Sequence, residues 1–270
     1  MTLALSPTDR QPWAAPPAVR EFGYWLHRYR RTWRGTIVIS VANPLLFLTA
    51  MGLGLGKLVN HGHSSYLHGA TYLAFVAPGL LAAGALQSAA TEAGGPVYQS
   101  ARQRGNYRAA AATPMSPTDI QLGHLLFMAF RTTLSATAFT AVITAFGIVG
   151  PLTGLLLIPA TLLTGMALSA PMSAWAVSVT KPAKLNATFR FLIMPMYMFS
   201  GTFYPIAQLP VWLRDIIAVT PLYQGIQLCR SLVLNTVTIG GTLTSVLYLT
   251  VLTTFGYLAG RRSYRRCLHS

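Results

Sequence analysis

Acidic side chains are scarce in this chain of 270 residues, which has five Asp and Glu against twenty Lys and Arg. Charged residues make up only 9% of the sequence, whereas a soluble globular protein has about a quarter. This composition excludes a soluble globular domain, because too few charges are present to cover a surface in water. It also leaves a lipid hydrolase or glycosyltransferase without the carboxylate pair, or acid and His, that such chemistry uses. We therefore predict no catalytic residue.

Patterns for binding metals, nucleotides or disulfides are also missing. Cys229 and Cys267 give no disulfide framework and no metal-ligand spacing. The run Gly52–Lys57 is not a phosphate loop, because Met51 and Leu58 stand where such a loop requires Gly and Ser or Thr. Three histidines share one loop without an Asp, Glu or Cys to complete a ligand set, which favours a solvated loop over a metal site: His61, His63 and His68. We expect no metal and no cofactor on this chain.

Long apolar runs take the place of the missing charges, since 53% of the residues are hydrophobic and the mean hydropathy is +0.48. A membrane-spanning helix needs about 20 apolar residues. Five runs qualify: Thr36–Gly56, Ala70–Thr91, Leu122–Gly150, Leu152–Thr180 and Gly240–Gly260. A sixth, Phe189–Phe203, is short, and a second apolar piece, Leu209–Val219, follows it with Arg214 and Asp215 inside. The predicted fold is an all-α membrane protein of six transmembrane helices, with a broken or re-entrant segment at about 202–220 between helices five and six.

The basic residues predict the orientation. With the N-terminus in the cytosol, sixteen Lys and Arg fall on the cytosolic side and three outside, as the positive-inside rule requires. The net charge of +15 is thus explained by membrane topology and not by nucleic acid, whose protein partners keep a soluble, charged body. We expect a multi-pass protein of the cytoplasmic membrane with both termini cytosolic. Its predicted parts are a flexible tail (1–18), an interfacial helix (19–34), the six-helix domain (35–260, with a cytosolic loop at about 94–120) and a basic tail (261–270).

The interfacial helix is predicted from a pattern before the first span. Apolar residues recur there at intervals of three and four while arginines fill the other faces: Val19, Phe22, Leu26, Tyr29 and Trp33. Such a helix lies among the lipid headgroups. The pattern fits two roles equally well: a basic anchor that sets topology, and an elbow that leads into a transport bundle.

Arg131 is the one charge predicted to lie deep, about ten residues inside the third span. Its side chain would extend to the cytosolic face, pair with Glu92 across the membrane interior, or line a path for an anionic substrate. Methionines and aromatic residues around the fifth span would line a cavity for an amphiphile or serve ordinary packing: Met194, Met196, Tyr197, Met198, Phe199 and Phe203.

Several segments together resemble a known family. "YLAFVAPGLLAAG" (Tyr72–Gly84) precedes the cytosolic loop "QSARQRGNYRAAAATPMSPTDIQLG" (Gln99–Gly123). Later come four ordered elements: Phe199-Ser200-Gly201, Tyr204-Pro205, Leu209-Pro210-Val211-Trp212-Leu213 and Pro221-Leu222. From about Phe22 to Arg262 the chain resembles the membrane-spanning permeases of type-2 ABC transporters, in the NodJ-like branch that neighbours the daunorubicin-resistance-type exporters.

The resemblance implies partners. Such permeases work as homodimers or heterodimers with two ATP-hydrolysing subunits, usually separate chains that carry ATP and Mg. The loop between spans two and three would supply a coupling helix at about Val97–Ala112 that docks on the ATPase. The residues expected in this coupling loop are Arg102, Arg104, Gly105, Tyr107, Arg108, Thr113 and Pro114. Many relatives have Thr and an acidic residue after the loop Gly, whereas this chain has Asn106-Tyr107-Arg108.

The resemblance also implies a gate at the outer mouth, in a half-helix with Pro205 and Pro221 at its ends, although a structural plug fits the same pattern. Its expected residues are Gly201, Tyr204, Pro205, Pro210, Trp212 and Pro221. The function expected is export of a hydrophobic drug or antibiotic, as in multidrug efflux, or of a lipid-linked oligosaccharide. The alternatives are an ion-coupled secondary transporter, which would work without an ATPase, and a membrane enzyme acting on lipids.

Overall fold

The computed structural model describes residues 15–50 and 72–268. Every regular element in these two ranges is helical. The α-helices are α1 (Pro17–Tyr29), α2 (Trp33–Ala50), α3 (Tyr72–Tyr98), α4 (Asn106–Ala111), α5 (Pro117–Ala145), α6 (Pro151–Ser178), α7 (Pro182–Thr188), α8 (Met194–Phe199), α9 (Val211–Ala218), α10 (Pro221–Val233) and α11 (Ile239–Leu268). Two π-helical turns, Gln99–Gln103 and Phe189–Ile193, continue α3 and join α7 to α8, and a 3₁₀ turn, Ile206–Gln208, precedes α9.

Proline starts many of these helices, because its fixed φ suits the first turn and its missing N–H is not needed there. Pro117 is one example, and the residue before it completes a capping box. The Ser116 hydroxyl accepts from the Asp119 backbone N–H, while the Asp119 carboxylate accepts from the Ser116 N–H at 3.0 Å. This box fixes where the loop after α4 ends and α5 begins.

Within the described residues, four helical segments are long and apolar enough to cross a membrane: Tyr72–Gln103, Pro117–Ala145, Pro151–Ser178 and Ile239–Leu268. They correspond to predicted spans two, three, four and six, and each extends beyond or shifts from its predicted limits. The first predicted span, Thr36–Gly56, runs past the described residues, which stop at Ala50. The fifth, Phe189–Phe203, covers the π-helical turn Phe189–Ile193 and α8, which continue α7 without a gap. These two spans stay predictions.

Helix α6 is central, since α3, α5, α10 and α11 all pack on it. Glycines allow the closest approaches. A Cβ added at Gly225 of α10 would overlap the Thr164 side chain of α6, and one at Gly256 of α11 would overlap Pro171. Close backbone approach through small residues is the usual way in which helices associate where water is absent.

The N-terminal segment differs from its predicted limits. Residues 19–34 were predicted as one interfacial helix, but α1 ends at Tyr29, and Trp33 begins α2. The face of α1 that contains Ala18, Glu21, Trp25 and Tyr29 is buried, and α1 packs on α5, so this face is covered by protein and not by lipid.

The segment after α8 also differs from the prediction. One half-helix was expected between Pro205 and Pro221, yet a 3₁₀ turn precedes α9, and Pro221 begins a further helix, α10. Helix α10 packs against α3, α6 and α11. Helix α10 was not predicted, because its polar residues interrupt the long apolar run that indicates a membrane span.

Candidate functional site

The short helix α4 lies in the predicted coupling loop. A single helix was expected over Val97–Ala112, but residues 97–103 continue α3, and α4 is separate. Gly105 makes the break, since its φ of 70° lies in the left-handed region that favours glycine. After α4, the Thr113 hydroxyl donates to the Ala110 carbonyl at 2.7 Å, and Pro114 follows. The loop is therefore a folded unit with one short helix at its centre.

Tyr107 anchors α4 to the long helices. Its side chain is 0% exposed. Its hydroxyl shares a hydrogen bond with Nδ1 of His124 in α5 and lies 3.4 Å from the Tyr264 hydroxyl in α11. Burial raises the pKa of Tyr107 well above its ordinary value, so the phenol stays protonated. One side chain thus joins α4 to two spanning helices.

Helix α1 also contacts the residues around Tyr107 and His124. The Trp25 ring stacks on His124 with centroids 3.8 Å apart, and its Nε1 donates to Oε1 of Glu21 at 2.8 Å. Burial raises the pKa of Glu21, an effect that the Trp25 hydrogen bond reduces. A Cβ at Gly123 would lie 2.5 Å from the Ala18 carbonyl oxygen, so α1 and α5 nearly touch. We call this group the aromatic node: Glu21, Trp25, Tyr107, His124 and Tyr264.

Three arginines around α4 are exposed, in contrast to Tyr107, and we call them the basic face: Arg102, Arg104 and Arg108. Arg102 donates to the Val177 carbonyl at 3.4 Å, and the Asn106 amide donates to the Tyr24 hydroxyl of α1 at 2.9 Å. Only Arg108 lies on α4, whereas Arg102 and Arg104 precede it, so the basic face is a cationic surface around the start of this short helix. Such a surface is suited to a partner with carboxylates.

Glu92 and Arg131 form an ion pair between α3 and α5. The side chains are 17% and 24% exposed, respectively. The Arg131 guanidinium also lies 5.4 Å from the ring centroid of Tyr29. The structure therefore brings together two residues that the sequence placed in different spans, and it ties both to α1.

The predicted gate residues lie around the break between α8 and α10. Gly201 has a φ of 80°, which turns the chain out of α8. Tyr204 donates to the Met198 carbonyl at 3.4 Å, while Trp212 on α9 is 65% exposed. The prolines mark element starts: Pro205 before the 3₁₀ turn, Pro210 before α9 and Pro221 in α10. The neighbouring Met194, Met198 and Phe199 are exposed, whereas Met196, Tyr197 and Phe203 pack against the core.

Arg230 on α10 is a further residue of this region, one that we did not single out from the sequence. It is 8% exposed and donates to the carbonyls of Gly201 at 2.9 Å and Phe75 at 3.3 Å. Its guanidinium also lies 3.8 Å from the Phe75 ring centroid. It therefore clamps the break against the start of α3. The signal was present, because Leu222, Ile226 and Cys229 repeat at helical intervals that lead into Arg230.

The sites rejected from the sequence gain no support. Within residues 15–50 and 72–268, no group of three or more His, Cys, Asp or Glu is placed to hold a metal ion. The loop histidines, His61, His63 and His68, and the run Gly52–Lys57 lie outside the described residues. Cys229 and Cys267 are both buried.

Comparisons with known proteins agree with this architecture. The family model described as ABC-2 type transporter matches residues 24–234. "Nodulation protein J" of Rhizobium meliloti (strain 1021) is 28% identical over 222 residues, which cover 78% of this chain and 81% of the relative. "Nodulation protein J" of Rhizobium leguminosarum bv. viciae is also 28% identical over 222 residues, with 78% and 82% covered. The chain therefore belongs to the ABC-2 type transporter family, as a multi-pass membrane permease similar to these nodulation proteins.

Proposed function

We propose that this chain is the permease subunit of an ATP-driven exporter and that a separate ATPase subunit hydrolyses the ATP. The observation that carries the proposal is the construction of α4 and the residues just before it, where Tyr107 is buried in the aromatic node and the basic face is exposed. A helix of this kind moves as a unit when a partner pulls on it. The scarcity of carboxylates supports an energy source on another polypeptide, since ion-coupled transport uses buried titratable groups.

The coupling we propose is mechanical. The ATPase would bind the basic face through a groove that carries carboxylates, and closure of two ATPase subunits would displace α4. Through Tyr107 the displacement would reach α5 and α11, and through His124 and Trp25 it would reach α1. Thr113 and Pro114 would hold the far end of the loop in register with α5.

We propose six spans with both termini cytosolic, α1 as the elbow, and the break between α8 and α10 at the outer mouth as an external gate. Arg230 would hold that gate closed by clamping it to α3. Two permeases, identical or different, would form the pathway. The cargo would be amphiphilic, either a hydrophobic drug or a lipid-linked oligosaccharide, because the pathway is apolar and offers few carboxylates.

The test is a comparison of two triple variants in membranes with the candidate ATPase co-expressed. R102Q/R104Q/R108Q removes the basic face, while R30Q/R31Q/R34Q removes three exposed charges elsewhere. We expect the first to weaken co-purification of the ATPase about tenfold, since each rim charge contributes about 0.5 kcal/mol. The control should retain it. Equal binding by both variants would contradict the docking site, and export that persists without any ATPase would establish the ion-coupled alternative.

A further inference from the structure

The last turns of α11 carry an unusual concentration of positive charge. Arg261, Arg262, Arg265 and Arg266 occur within six residues, and no acidic residue occurs anywhere in α11. Arg262, Arg265 and Arg266 are exposed, and Arg261 is half-buried. In the part of the chain that the structure describes, none of the four has a carboxylate partner. The concentrated charge is thus available to a ligand.

An apolar stripe leads to these arginines along the same face of α11. Its residues recur every three or four positions and are each at least half exposed: Leu243, Leu247, Val251, Phe255 and Leu258. The opposite face, with Leu249, Gly256, Gly260 and Tyr264, is buried against the protein. From Leu243 to Leu258 the stripe is about 22 Å long at 1.5 Å per residue, enough to cross the ~15 Å hydrocarbon layer of one leaflet.

The stripe and the arginines meet in a groove of about 620 Å³. Phe255, Leu258 and Ala259 line its apolar part, and Ser263 and the four arginines line its polar part. Guanidinium groups bind phosphate through paired N–H donors, and a serine hydroxyl adds a further donor. The lining therefore has an apolar region for a chain and a cationic region for a phosphate, in the order in which a phospholipid presents them.

We propose that this groove binds an anionic phospholipid, with its phosphate among the four arginines and an acyl chain along the stripe. A peripheral ATPase would reach the arginines but not the stripe, which lies within a candidate span. A second copy of the chain, placed face to face here, would bring eight arginines together. Charge complementarity and the continuous apolar stripe both favour the lipid. Only the choice of the cytosolic leaflet rests on the proposed orientation.

The site has a consequence for the permease, because it lies on the same helical turns as part of the aromatic node. Tyr264 faces inward toward Tyr107 while Arg262, Arg265 and Arg266 face outward. A bound lipid therefore steadies the end of α11 against which α4 is anchored. Acidic lipid would favour the conformation in which α4 is firmly held.

The test uses the purified full-length permease alone, so that its outcome does not depend on any ATPase. Binding of phosphatidylglycerol, phosphatidylcholine and glycerol phosphate is measured for the unchanged protein, for R262Q/R265Q and for the matched control K181Q/K184Q, which also loses two exposed charges. We expect R262Q/R265Q to bind phosphatidylglycerol about 30-fold more weakly, since each Arg contributes about fivefold at an anionic surface. The control should bind unchanged, and glycerol phosphate should bind weakly to all three.

Three results would overturn the proposal. Equal losses of phosphatidylglycerol affinity in both double variants would mean that the lipid is attracted by the general positive charge and not by a specific site. Glycerol phosphate that binds as tightly as the lipid would identify a phosphate site without a role for the apolar stripe. If R262Q/R265Q keeps its lipid affinity but dimerises differently, the face is an interface between copies.

Discussion

Replacing Tyr107 by Phe removes one hydroxyl from the aromatic node and leaves the ring in place. His124 would then lose the partner of its Nδ1, and among the described atoms its Nε2 has no hydrogen-bond partner either. Leaving a buried polar group unsatisfied costs about 1–3 kcal/mol. We expect Y107F to lower the free energy of unfolding by that amount, and Y107A by about 3–5 kcal/mol, because it also removes the buried ring.

The more informative readout is coupling. In proteoliposomes with the ATPase, we expect Y107F to keep ATP hydrolysis while it lowers the substrate exported per ATP, because α4 still docks but is held less firmly. Y98F is the matched control, since it removes a hydroxyl that donates to the Thr180 carbonyl at 3.2 Å outside the node. It should lower stability by about 1 kcal/mol and leave coupling unchanged. If Y107F exports normally, or Y98F uncouples as strongly, the node does not transmit the movement.

Further predictions concern stability, measured by thermal unfolding in mild detergent. E92Q and R131Q should each lower the free energy of unfolding by about 2 kcal/mol, because each leaves a mostly buried charge without its partner. The double variant E92Q/R131Q should recover part of this loss, whereas additive losses would contradict the pairing. Burial raises the pKa of Glu21 above its unfolded value of about 4.3. The contribution of Glu21 to the free energy of unfolding is therefore fully present below about pH 4.3 and is lost as the pH rises through the raised pKa. E21Q should therefore flatten the decline in stability above pH 4.3, and an unchanged pH profile would contradict this. G225A should cost about 1–3 kcal/mol by overlap with α6, whereas G84A, which faces open space, should cost less; equal effects would argue against close packing.

The four long helices were predictable because their signal is local. An apolar run of sufficient length, such as Leu152–Thr180, specifies a spanning helix almost independently of its neighbours. Helix α10 could not be found in this way. Its polar residues Gln224 and Arg230 are acceptable only because Ser245 donates to the first and backbone carbonyls accept from the second. Those partners are set by tertiary structure and leave no trace in a hydropathy profile.

The predicted coupling loop and the residues that anchor it differ in the same way. Gly105 and Ser116 both mark real helix boundaries, of kinds that a sequence can signal, but the predicted coupling helix, Val97–Ala112, ran through Gly105. Tyr107 was predicted as part of the loop, yet its partners His124 and Tyr264 lie 17 and 157 residues further along the chain. Nothing in the local pattern distinguishes a tyrosine that faces an ATPase from one that faces inward.

The Arg230 clamp has a consequence for how the break between α8 and α10 can change. Its hydrogen-bond acceptors are the main-chain carbonyls of Gly201 and Phe75, which every residue type would offer at those positions. Side chains in the break can therefore vary without removing an acceptor, provided that the backbone keeps its path. A permease with such a clamp can diversify the side chains of this break while the attachment of the break to α3 stays the same.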